Sequence, residues 1–164
     1  GVAGQHFHGI IHAANDGRPN ENRFQFAGPG PLLKVFRGID LDDPRIDLAA
    51  VGIAFDGIDL WVTNLANQTV TEFNAATGSF VRVVSGAQYS FSAPDGAAFD
   101  GAHIWVANRN GASVTEVNAS DSSLVRLYAG SAFAISQPVA LAFDGHRVWI
   151  TNFNANSVTA IPAG

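Results

Sequence analysis

One phrase recurs along this chain at a fixed interval. Ala54-Phe55-Asp56-Gly57 leads to Trp61-Val62-Thr63-Asn64, Ala98-Phe99-Asp100-Gly101 to Trp105-Val106-Ala107-Asn108, and Ala142-Phe143-Asp144-Gly145 to Trp149-Ile150-Thr151-Asn152. Ala54, Ala98 and Ala142 are spaced 44 residues apart. Self-similarity at an interval of this size marks stacked supersecondary units, each too small to bury its own apolar face alone. Any fold for this chain must repeat one local structure side by side.

The residues between the anchors say what that structure is. Val51 to Phe55 is a short apolar run closed by Asp56-Gly57, a strong turn signal. Leu60 to Thr63 is a second run. Thr69 to Phe73 alternates and is rich in β-branched residues, and Phe80 to Val84 precedes the closing Gly86. Each Asp-Gly is expected to be a two-residue hairpin turn with positive φ. The next unit places strands at Ser113 to Asn118 and Ser123 to Leu127. The last places them at Ala140 to Phe143, Val148 to Thr151 and Ser157 to Ile161, without a fourth. No stretch carries a helical stripe. Four short strands per unit of about 44 residues match the blade of a β-propeller.

The expected fold is therefore all-β, one repeat domain over 1–164, with blades at 50–93, 94–137 and 138–164. A worn copy precedes them, because His6-Phe7-His8-Gly9 falls 48 residues before Ala54-Phe55-Asp56-Gly57. It defines a degenerate blade at 6–49, with Ala13 where the other copies have Trp. Dividing 164 residues by 44 gives about 3.7 blades, fewer than the 4–8 of a closed ring. The chain reads as a partial ring or one completed by further chains, with a small four-bladed ring lacking its final outer strand as the alternative. Gly1 is not an initiator Met and no leader pattern follows it, so the chain reads as a processed or excised piece.

Composition narrows the partners. Only 14% of residues are charged and the net charge is −5, with nine scattered Lys and Arg. That leaves no basic stripe for nucleic acid. No apolar run approaches the roughly 20 residues of a membrane span. Zero Cys rules out disulfides and thiolate metal sites. A weakly charged surface suits protein–protein contact, and open blade edges need a partner. Self-association or another protein chain is the expected partner.

Candidate site residues come from the repeats and from the first few residues. Phe55, Phe99 and Phe143 are expected between neighbouring blades. Trp61, Trp105 and Trp149 are core anchors whose indole N–H needs an acceptor, or alternatively a row of rings for a ligand such as a carbohydrate. Asp56, Asp100 and Asp144 are turn residues of the hairpins. Asn64, Asn108 and Asn152 end the second strand, where the amide can hold a turn or read a ligand. His6 and His8 share one strand face, and with His12 they could hold a metal ion. Asn67-Gln68-Thr69 and Asn118-Ala119-Ser120 match the glycosylation pattern on turns. Nothing resembles a phosphate loop or a nucleophile elbow.

Phe-Asp-Gly, Trp-Val-x-Asn and Asn-x-x-Val-Thr-x-x-Asn-Ala, with the later Val-Arg of Val81-Arg82 and Val125-Arg126, together resemble the NHL, YVTN and streptogramin-lyase group of bacterial β-propellers. The resemblance covers about 50–162 well and 6–49 weakly. It implies a propeller; the chain is expected to be exported or surface-located. It does not select among lyases, lactonases, cell-surface binding proteins and scaffolds. The lactonase-like members of that group bind a divalent cation through Glu, Asn and Asp, and the resemblance implies that Asp56, Asp100 and Asp144 could mimic such a ring; the lyases use paired histidines, a glutamate and Mg²⁺. Here His103 and His146 follow Asp-Gly, but Glu72 and Glu116 lie inside the third strand, so no matching glutamate is expected beside them. No catalytic residue carries over and no cofactor is required. The expectation is a non-catalytic binding or assembly module. The alternatives are a lyase or lactonase-type enzyme with a divalent cation, and a carbohydrate-binding propeller.

Overall fold

The computed structural model describes residues 50–164, together with the backbone of two short strands, β1 (His12–Ala13) and β2 (Phe24–Gln25), which pair antiparallel. The degenerate blade proposed at 6–49 lies outside the described residues. From residue 50 the chain forms β3 (Ala50–Phe55), β4 (Asp59–Asn64), β5 (Thr69–Asn74) and β6 (Phe80–Val84). It continues through β7 (Pro94–Phe99), β8 (His103–Asn108), β9 (Ser113–Asn118) and β10 (Leu124–Ala129). Last come β11 (Pro138–Phe143), β12 (Arg147–Asn152) and β13 (Ser157–Pro162). Each group is an antiparallel meander in sequence order: β3 to β6, β7 to β10, and β11 to β13. Two single-turn 3-10 segments, Ala87–Tyr89 and Ser131–Phe133, lie in the linkers between sheets.

The inner strands β3, β7 and β11 run side by side, so the sheets stack face to face as propeller blades. The first interblade core joins Ala54, Trp61, Val70 and Val84 of one blade to Ile104, Val106 and Val117 of the next, with Tyr89 and Phe91 of the linker. The second joins Trp105, Val114 and Tyr128 to Val148, Ile150 and Ile161. Strand alternation explains this arrangement. Trp and the residues paired with it face the following blade, while the intervening aliphatics face the preceding one. Phe99 and Phe143 pack against these two cores, as expected, whereas Phe55 is 55% exposed among the described residues.

Inner-strand contact depends on two glycines. A Cβ at Gly52 would stand 2.2 Å from the Asp95 carbonyl oxygen, and one at Gly96 would stand 2.3 Å from that of Val139. Both positions lie in a register shift of the inner strand, between Ala50 and Ile53 and between Pro94 and Ala97. At Gly52, the Thr63 hydroxyl accepts the N–H at 2.8 Å and donates to the Asp95 carbonyl of the next blade. The third copy has Ala140 at this position.

Candidate functional site

The repeated Asp side chains are anchors within their own hairpins. Asp56 N–H donates to the Asp59 carbonyl, so Gly57 and Ile58 are the two central turn residues. The sequence reading is off by one here: Gly opens the turn, with φ of 103° at Gly57, 110° at Gly101 and 101° at Gly145, and Asp stands before it. This offset frees the Asp side chain to act as a clamp. Asp56 Oδ1 accepts the N–H groups of Ile58 and Asp59 at 2.8 and 2.7 Å, while Oδ2 accepts the Trp61 indole N–H at 2.9 Å. Asp100 repeats this with Ala102, His103 and Trp105, and Asp144 with His146, Arg147 and Trp149. The Trp149 indole and two backbone N–H groups hold the Asp144 carboxyl down at about 2. Burial pushes the Asp100 carboxyl up, but Trp105 and the same backbone donors outweigh it and leave it lowered.

The repeated Asn side chains are buried at the opposite end of the second strand. Each amide N–H₂ donates to two hydroxyls on the third strand: Asn64 to Thr69 and Thr71, Asn108 to Ser113 and Thr115, Asn152 to Ser157 and Thr159. Thr115 passes the bond on to the Tyr89 carbonyl and Thr159 to that of Ala134, both in the interblade linkers. Asn152 Oδ1 accepts the Ser136 N–H. The amide thus ties turn, strand and linker together. His6 and His8 lie outside the described residues, as does the side chain of His12.

The strand-borne glutamates meet the turn residues after all. Trp105 and Glu116 are paired across β8 and β9, and His103 lies two residues from Trp105 on the same face. His103 Nδ1 stands 3.2 Å from Asp100 Oδ2 and 3.2 Å from Glu116 Oε1. The expectation that Glu116 is remote from His103 is therefore corrected. Diagonal neighbours on one sheet face lie within reach of long side chains, and that was the available signal. Tyr128, on β10, donates its hydroxyl to Glu116 Oε2 at 2.9 Å, and burial with this carboxylate pushes its phenol up to about 12. His103 is the partly open member, with 21% of its side chain exposed against 5% for Glu116.

The preceding blade carries the same positions with different contents. Asp56, Asp59 and Glu72 replace Asp100, His103 and Glu116, and Arg82 Nε stands 2.7 Å from Glu72 Oε2. Burial raises the Glu72 carboxyl to about 7; Arg82 opposes the shift and Asp59 adds to it. Arg126 is the counterpart of Arg82, yet it lies over the Tyr128 ring at 4.9 Å. The change from Val84 to Tyr128 accounts for the difference. The phenol occupies the carboxylate oxygen that an arginine takes in the preceding blade, and its ring offers the guanidinium a face.

The last blade presents an open face. Trp61 and Trp105 are 0% exposed and Val70 and Val114 are 1% and 0%, whereas Trp149 is 38% and Val158 60% exposed. Ala140, Ala142, Thr151 and Ala160 share that face and are exposed as well. Its charged side chains are Asp144, bound to the Trp149 indole, and Arg147 at the turn end, while Ala160 stands where Glu72 and Glu116 stand in the other blades.

No protein-family model and no curated protein sequence matches the chain. Solved structures match in shape. A catalytically inactive virginiamycin B lyase from Staphylococcus aureus, with quinupristin, superposes at a TM-score of 0.57 and 14% identity, over 70% of this chain and 37% of that one. BamB from Moraxella catarrhalis gives 0.54 and 13% identity, over 68% of this chain and 30% of that one. Glutaminyl cyclase from Myxococcus xanthus gives 0.51 and 14%, over 68% and 47%. The agreement is one of fold, the β-propeller. The chain spans less than half the length of each of these structures.

Proposed function

We propose that this chain is a non-catalytic binding and assembly module of the NHL/YVTN/streptogramin-lyase kind of propeller, exported or surface-located, and that it self-associates through the β11–β13 face. The observation that carries this reading is the exposure of Trp149 and Val158 at positions that are buried in both preceding blades. Burying such a face is favourable at roughly 25 cal/mol per Å² of apolar area.

The occupant we favour is the same face of a second copy. Head-to-tail stacking uses a glycine on the inner strand, where this face has Ala140, and this face has Ala160 where the two preceding blades carry Glu72 and Glu116. The charges on this face, Asp144 and Arg147, are of opposite sign, so it meets its own copy across a two-fold axis with no net charge of one sign on both sides. Sedimentation velocity over a range of protein concentrations tests the proposal. A concentration-dependent dimer is expected for the wild type and a monomer for Val158→Glu. A wild type that stays monomeric throughout overturns it.

Enzyme chemistry of the lyase or lactonase type is the second reading. The cluster of Asp100, His103 and Glu116 favours it to the extent that it holds a cation.

A further inference from the structure

The groups around His103 leave an electrostatic demand that a single proton meets poorly. Three acceptor-capable atoms converge, Asp100 Oδ2, His103 Nδ1 and Glu116 Oε1, all within 4.8 Å of one another. A neutral imidazole protonated at Nδ1 has one hydrogen to share between two carboxylates that are both 3.2 Å away. One protonated at Nε2 turns a lone pair toward both of them. In the preceding blade Arg82 supplies the positive charge directly to Glu72. Here Arg126 is drawn onto Tyr128 and Phe133, at 4.9 and 5.8 Å from their ring centres, and Glu116 receives a neutral phenol instead.

We propose that Asp100 Oδ2, His103 Nδ1 and Glu116 Oε1 form a site for one divalent transition-metal ion of the Zn²⁺ class, with water completing the coordination on the open side of His103. Spacing supports it. With bonds of about 2.0–2.2 Å, neighbouring ligand atoms of a tetrahedral zinc site lie roughly 3.3–3.5 Å apart, close to the 3.2 Å separations found here. One imidazole with two carboxylates suits a borderline cation better than Ca²⁺ or Mg²⁺, which prefer oxygen alone. The surroundings are built as an outer shell. The Trp105 indole holds Asp100 Oδ2 at 2.8 Å, two backbone N–H groups hold Oδ1, and the Tyr128 hydroxyl holds the far oxygen of Glu116 at 2.9 Å. Among the described blades the site is particular to β7–β10, because the last has Arg147 and Ala160 at the His103 and Glu116 positions and the first has Asp59 at that of His103.

Isothermal titration of the chelator-treated full chain with ZnCl₂ at pH 7.5 tests the site. It is run beside His103→Gln, Glu116→Gln and a His6→Asn/His8→Asn/His12→Asn triple variant. One saturable equivalent is expected in the wild type and in the triple variant, weakened at least tenfold in His103→Gln and Glu116→Gln. Zinc should also raise Tm in the wild type and leave that of His103→Gln unchanged. If Glu116→Gln does not fold, the partly exposed His103 position decides. The proposal is overturned if the wild type shows no saturable zinc binding, if His103→Gln binds as tightly as wild type, or if the triple variant alone loses it. Because zinc stoichiometry and affinity are read per chain, the site and the self-association proposal stand or fall separately.

Discussion

At the scale of single residues, the repeated Asp is the tightest constraint in each blade. One carboxylate serves two backbone donors and an indole, and in the first described blade that indole is fully buried. Asp56→Ala leaves three donors without acceptors and is expected to destabilise the protein by about 1–3 kcal/mol, read from urea unfolding. Asp144→Ala is expected to cost less, since Trp149 can turn to water. Glu72 makes a second prediction. Its folded value of about 7 lies above the ordinary 4.5, so the stability it contributes is fully present below about 4.5 and lost as pH rises through about 7. Thermal unfolding between pH 4.5 and 7.5 should fall more steeply for the wild type than for Glu72→Gln; parallel profiles would sink the assignment.

At the scale of elements, inner-strand glycines decide how closely blades approach. Gly96→Ala pushes a methyl group into the Val139 carbonyl and should cost about 1–3 kcal/mol as overpacking. Ala140→Gly, on the open face, should change stability by well under that, so a chemical-denaturation comparison of the two variants separates a close interblade contact from simple glycine flexibility. The strands themselves were legible in the sequence. Their bounds follow from β-branched alternation and from the Asp-Gly and Asn signals at their ends. The turn was legible in kind but not in register, because Asp-Gly satisfies hairpin chemistry equally well with the glycine first or second. Only the bond from Asp56 N–H to the Asp59 carbonyl distinguishes the two.

At the scale of the whole molecule, the question is what covers the last blade. The residues that the first two blades bury under their neighbours are the same residues that the third exposes, and the proposed dimer follows from that contrast. Sedimentation and the Val158→Glu variant decide it. By itself, the sequence determined the 44-residue unit, the four-strand plan and the all-β class. These depend on short-range signals, namely period-two alternation, glycine turns and fixed spacing along one chain. Only the tertiary structure decided which face of each sheet is covered, that Glu116 reaches His103 and Asp100, and that Arg82 and Arg126 take different partners. These depend on cross-strand neighbours and on a single change of side-chain bulk, Val84 to Tyr128. A linear pattern carries no information about distances across a sheet until the register is known.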